Sequence, residues 1–143
     1  MCKDWQQKFF DLADHISQWS KDPSTKVGCV LVDSKFRVIG LGYNGFPRYV
    51  NDIRSRLEDR EQKLLYTQHA EANALLNAVA NTEGSRAYVT HHPCAHCAGL
   101  LIQAGVCYVT ARHPSNDLAE RFKDSFAVTK IMFKEANVGF NLE

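Results

Sequence analysis

Two short stretches, "HAEANALLNAV" from His69 and "THHPCAHCAGLLIQAGV" from Thr90, constrain the fold of this chain more than any other part of it. Each opens a helical run on residues that bind metals. Cys94 and Cys97 are three residues apart, so both sulfurs project from the same side of a first helical turn. Pro93 suits that start because no intrahelical amide bond is lost there, and the positive end of the helix dipole favours thiolates. The β-branched run "RAYVT" separates the two openings. A strand between them lets both helix N-termini emerge on one edge of a sheet, where His69, Cys94 and Cys97 are expected to converge on one catalytic Zn²⁺ per chain. Three protein ligands leave the fourth tetrahedral position to water, and a bound water with a pKa near ~7 is a nucleophile at neutral pH. Glu71, on the open end of the first helix, is placed to accept that water's proton and return it to a substrate nitrogen.

Two other readings of the cysteines stay open at this point. A C-x-x-C pair by itself also serves thiol-disulfide exchange. A closed structural zinc would recruit His91, His92 or His96 as a fourth ligand and leave Glu71 idle. Otherwise those three histidines read as surface or packing residues, while Cys29 and Cys107 read as small core hydrophobes.

The rest of the chain supplies a frame for these helices. Its 143 residues, 45% hydrophobic and 23% charged, fit one domain spanning 1–143. In "DWQQKFFDLADHISQWS" Trp5, Phe9, Leu12, Ile16 and Trp19 recur at helical spacing and predict one buried face. "KVGCVLVD" and "FRVIGLGYN" read as an antiparallel hairpin, followed by a loop and a short exposed helix in "GFPRYVNDIRSRLEDREQKLLYTQ". After the two metal helices come the strand "VCYVTA", one helix over "LAERFKDSFAVTKIMFKEAN" and a final strand "VGFNL". This alternation predicts an α/β, three-layer α-β-α sandwich on a mixed five-stranded sheet. Five cysteines, Cys2 among them, are an odd number and do not form a secreted disulfide framework. With no secretory h-region or membrane span, the chain is expected to be cytoplasmic. A formal charge of +1 speaks against a surface made mainly for a nucleic acid.

The H-x-E and P-C-x-x-C pattern is shared by zinc-dependent base deaminases. Beyond it, "SKDPSTKVGCVLV", "GYNGFP", "DREQKLLYTQHAEANAL" and "HHPCAHCAGLLIQAGV" resemble the deoxycytidylate (dCMP) deaminase family over nearly the whole chain. The resemblance implies hydrolysis of dCMP to dUMP and ammonia, with His69, Cys94 and Cys97 as zinc ligands and Glu71 as proton shuttle. It places Asn44 against the substrate sugar, although asparagine between Tyr43 and Gly45 also reads as a turn residue. Ser24, Thr25 and Lys26 are candidates for the 5′-phosphate or, equally, a plain helix-to-strand turn. The family further implies a homo-oligomer, a hexamer being favoured, activated by dCTP and inhibited by dTTP. "GYNG" is associated with that regulatory nucleotide, which gives Gly42, Tyr43, Asn44 and Gly45, with Asn51, Arg60 and Lys63, as contacts for a triphosphate and its Mg²⁺. For Asn51, Arg60 and Lys63 the competing reading is a solvated helical face. A tRNA adenosine deaminase, a cytidine deaminase and a non-enzymatic zinc module are the alternative functions.

Overall fold

The computed structural model describes residues 3–143. Helix α1 (Lys3–Ser17) precedes strands β1 (Gly28–Val32) and β2 (Val38–Tyr43), and two short helices, α2 (Arg54–Glu58) and α3 (Arg60–Tyr66), lead into α4 (Ala70–Leu76). The chain then alternates through β3 (Arg86–Val89), α5 (Ala95–Gln103), β4 (Tyr108–Ala111), α6 (Asn116–Arg121), α7 (Lys123–Glu135) and β5 (Gly139–Leu142). The strands form one mixed sheet in the order β2-β1-β3-β4-β5, with β1 antiparallel to both neighbours and β3, β4 and β5 parallel. Hydrophobic cores lie on both faces, so the three-layer sandwich is as expected.

The layers follow from the residues of β1. All five of its residues are buried, as a strand covered on both faces requires. Cys29 and Leu31 join the core beneath α4, α5 and α7, while Val30 and Val32 join Phe9, Phe10, Ala13, Ile16 and Tyr88 beneath α1. Gly42 and Gly40 on β2 determine how α4 lies on the sheet. A Cβ on Gly42 would come within 2.3 Å of the Ala70 carbonyl oxygen and the Ala74 amide nitrogen. The side-chain amides of Asn73 and Asn77 then donate to the carbonyls of Tyr43 and Leu41.

Four local expectations are corrected. The buried stripe of α1 runs through Phe9, Phe10, Ala13 and Ile16, leaving Trp5 and Trp19 at the surface. Trp19 lies beyond the end of the helix and packs edge-on against Tyr43. Helix α4 stops at Leu76, because the Val79 amide leaves the helical ladder to donate to the Ile39 carbonyl of β2. The C-terminal helix is two helices, interrupted at Phe122, whose φ of −115° and ψ of 21° are not helical. Cys107 is exposed, its thiol directed at the Gly84 carbonyl, whereas Cys29 is buried as expected. Cys2 lies outside the described residues. Among those residues, no helix is long and apolar enough to cross a membrane.

Replacing Gly42 by alanine forces α4 off β2. The expected loss is about 2–3 kcal/mol of unfolding free energy, read from urea denaturation, with far-UV circular dichroism of the folded variant unchanged.

Candidate active site

The site forms at the sheet edge where β1 begins and β2 and β3 end. Gly28 pairs with Tyr43 and Cys29 with Val89, which brings Val27, Asn44 and Thr90 side by side. The Thr90 amide donates to the Gly28 carbonyl, and the Gly28 amide donates to the Thr90 hydroxyl, each at 3.0 Å. From this edge the chain enters α5 through Pro93 and Cys94, the N-cap of that helix. His69 is the N-cap of α4. Both helices therefore begin on metal donors.

His69 Nδ1 lies 3.3 Å from Cys97 Sγ and 3.6 Å from Cys94 Sγ. A zinc ion bound to one imidazole and two thiolates at normal bond lengths sets its nitrogen and sulfur donors about 3.6 Å apart, so this donor set fits zinc. Among the described residues no other group of three histidine, cysteine or acidic side chains is gathered for a metal. His91, His92 and His96 supply no fourth ligand. The His92 ring is instead buried in packing, 4.0 Å from the centroid of Phe126 and edge-on to Phe140.

The three donors are strongly coupled to one another, and Cys94 is the one held as a thiolate. The hydrogen bond from Cys97 and, against burial, those from His69 and the Cys97 amide push the Cys94 thiol down to about 4. Cys97 is pushed upward by its bond to Cys94 and by burial. Hydrogen bonding to Cys94 raises His69, outweighing its partial burial. Glu71, 5% exposed, lies in the first turn of α4, and burial pushes its carboxyl up to about 7 despite the opposing pull of its own amide and of His69.

Asn44 is buried and joins chain segments. Its Oδ1 accepts from the Val27 amide at 2.9 Å, its Nδ2 donates to the Thr25 carbonyl at 2.9 Å, and its own carbonyl accepts from the Ser20 hydroxyl at 2.8 Å. The two partners of its side chain lie 17 and 19 residues away and the Asn44 amide extends the pairing with β1 by donating to the Val27 carbonyl, so the turn reading is corrected; one hydrogen of Nδ2 takes no part in these bonds. Gly45 forms a two-way bridge with Gln68, the residue before His69. Ser24 and Lys26 are exposed and Thr25 is half-buried.

The residues expected at a regulatory site do not form one group. Gly42 is buried beneath α4 and is needed for packing there, so a nucleotide contact at this position does not fit. Lys63 turns inward, 8% exposed, whereas Asn51 and Arg60 are exposed. This corrects both sequence readings of Lys63, as a triphosphate contact and as part of a solvated face. Tyr43, Asn44 and Gly45 line a cleft of about 270 Å³ together with Trp19, Lys21 and Arg48. Asp22 is the residue that sequence reasoning missed. Its Oδ1 accepts from the amides of Ser24 and Thr25, a pattern signalled by aspartate two and three residues before small hydroxylated residues.

One imidazole, two thiols and a buried carboxylate beside them are the parts of a metal-dependent hydrolase. The model of the cytidine and deoxycytidylate deaminase zinc-binding region matches residues 3–112. An uncharacterized deaminase from Aliivibrio fischeri is 39% identical over 138 residues, covering 96% of this chain and 92% of the relative. The deoxycytidylate deaminase of Mus musculus is 35% identical over 145 residues, covering 96% and 78%. The dCMP deaminase of cyanophage S-TIM5 shares the fold, with a TM-score of 0.79 over 100% of both chains at 22% identity. The chain belongs to the cytidine and deoxycytidylate deaminase family, whose members are hydrolytic enzymes.

His69→Ala or Cys97→Ala is expected to reduce bound zinc from one per chain to a small fraction, measured by atomic absorption, whereas Glu71→Gln retains it. Glu71 also gives metal-free protein a defined pH dependence. Its carboxyl holds a proton up to about pH 7 when folded but only to its ordinary 4.5 when unfolded, so stability falls as pH rises between those values. Above pH 7 the cost is on the order of 3 kcal/mol, and Glu71→Gln recovers it in urea denaturation at pH 8 but not at pH 4.

Proposed function

We propose that this protein hydrolyses dCMP to dUMP and ammonia, with zinc held by His69, Cys94 and Cys97. The observation that carries the chemistry is the buried Glu71 carboxyl within the electrostatic reach of all three donors. Relatives named deoxycytidylate deaminase, matched over 96% of this chain in mouse and human, support the substrate. Zinc supplies Lewis acidity and lowers the pKa of water for addition to C4 of cytosine. The residues of the chain do the rest. Glu71 takes a proton from that water and gives it to N3, then takes the proton of the new C4 hydroxyl and delivers it to the departing amine as the C4–N bond breaks. A carboxyl poised near neutrality serves both directions of transfer. Asn44 offers its remaining amide hydrogen to the sugar, and Ser24, Thr25 and Lys26 are assigned to the 5′-phosphate, a role their position before β1 and the exposure of Ser24 and Lys26 support.

The reading extends to regulation of a homo-oligomer, a hexamer in the first instance, with dCTP as activator and dTTP as inhibitor. The cleft lined by Trp19 and Tyr43 supports it, since these rings offer surfaces for a base and Arg48 offers charge for phosphates, while Lys21 is paired with Asp52 at 2.8 Å. A triphosphate there would bring Mg²⁺ with it.

Turnover of dCMP, followed spectrophotometrically, should require zinc and fall by about 10³-fold in Glu71→Gln. Full activity of that variant would overturn the mechanism, and turnover of cytidine or a tRNA anticodon stem-loop in place of dCMP would overturn the substrate. A dCMP titration indifferent to added dCTP and dTTP would remove the regulation.

A further inference from the structure

Lys63 occupies a position that neither the metal site nor the cleft accounts for. Its ammonium lies 3.1 Å from Asp22 Oδ1 and 2.5 Å from Ser24 Oγ, with both members of the ion pair about nine-tenths buried. The same Asp22 oxygen accepts from the Ser24 amide at 2.9 Å, the Thr25 amide at 3.0 Å and the Ser24 hydroxyl at 3.1 Å. Burial opposes ionisation of this carboxyl, but the amides of Thr25 and Ser24 and the Lys63 ammonium outweigh it and hold Asp22 below the ordinary range. The turn made this way fixes the Thr25 carbonyl, which receives the Asn44 side chain. At its other end Lys63 belongs to α3, and its carbonyl accepts both the amide and the hydroxyl of Thr67, two residues before His69.

We infer that Lys63 is a positioning residue, clamping the Asp22–Thr25 turn and, through it, Asn44 to the segment that carries the first metal ligand. The assignment rests on the deaminase reading above for its effect on substrate. The clamp is electrostatic and buried, so its geometry is determined by an ion pair that water does not loosen. It acts away from the reacting carbon. Its loss therefore weakens binding of the nucleotide's sugar and phosphate end rather than the chemical step, and appears in KM more than in kcat.

The test compares Lys63→Met with the wild type. Because that variant leaves Asp22 buried without its cation, the double variant Asp22→Asn/Lys63→Met is made beside it. Its asparagine can still accept the Ser24 and Thr25 amides, while the link to α3 is gone. In a folded variant, KM for dCMP is expected to rise by about tenfold with kcat within about twofold and zinc still one per chain. Amide hydrogen exchange, read by NMR, is expected to accelerate at Ser24, Thr25 and Val27 and to stay unchanged at Val30 and Leu31. Acceleration shared equally by Val30 and Leu31, or none at Ser24 to Val27, would overturn the inference, as would an unchanged KM. Wild-type protein inactive on dCMP would overturn the functional reading alone, and the exchange data would still decide the role of Lys63.

Discussion

The Ala70 carbonyl and the Ala74 amide sit 2.3 Å from the place a Cβ on Gly42 would occupy, so α4 lies on β2 at a distance only glycine permits. The site depends on this contact. Gly42 pairs with Cys29, and Cys29 pairs with Val89, so the depth of α4 on β2 is passed through β1 to the end of β3. Thr90 and Pro93 then carry the chain into α5, where the Ser125 hydroxyl accepts from the Ala95 amide and the Thr129 hydroxyl donates to the Pro93 carbonyl. A displacement at β2 would thus alter the separation of His69 from Cys94 and Cys97, although those residues share no covalent proximity.

Two buried carboxyl groups near this edge show how placement assigns opposite behaviour to similar chemistry. Asp22 receives two backbone amides, a hydroxyl and an ammonium, and stays ionised. Glu71 is more deeply enclosed and, among the described residues, has no ion-pair partner, so its charge is costly and its proton is retained to near neutrality. The first is suited to holding a turn in place. The second is suited to exchanging protons.

The sequence was most legible where residue type and spacing are themselves the chemistry. His69, Cys94 and Cys97 stood out because helix openings rarely combine these residues, and β1 because an apolar β-branched run has few other uses. What escaped the sequence depends on partners far along the chain. Trp19 fits the helical spacing of α1, yet the helix stops at Ser17 and the ring is drawn to Tyr43. Lys63 sits in a charge-dense stretch that reads as solvated, and only the return of Asp22, 41 residues earlier, gives it a reason to be buried. The end of α4 was misjudged because Val79 is captured by β2, a competition that periodicity does not register.

The connection from α1 to β1 has no repeating structure between Pro23 and Val27, yet its register is fully specified. Asp22 and Asn44 hold it from opposite ends, one by the amides of Ser24 and Thr25, the other by the Thr25 carbonyl and the Val27 amide. A segment pinned at successive residues has no slack to absorb an insertion or deletion. Within this family, then, the spacing between aspartate and first strand should be as invariant as the spacing between the two cysteines.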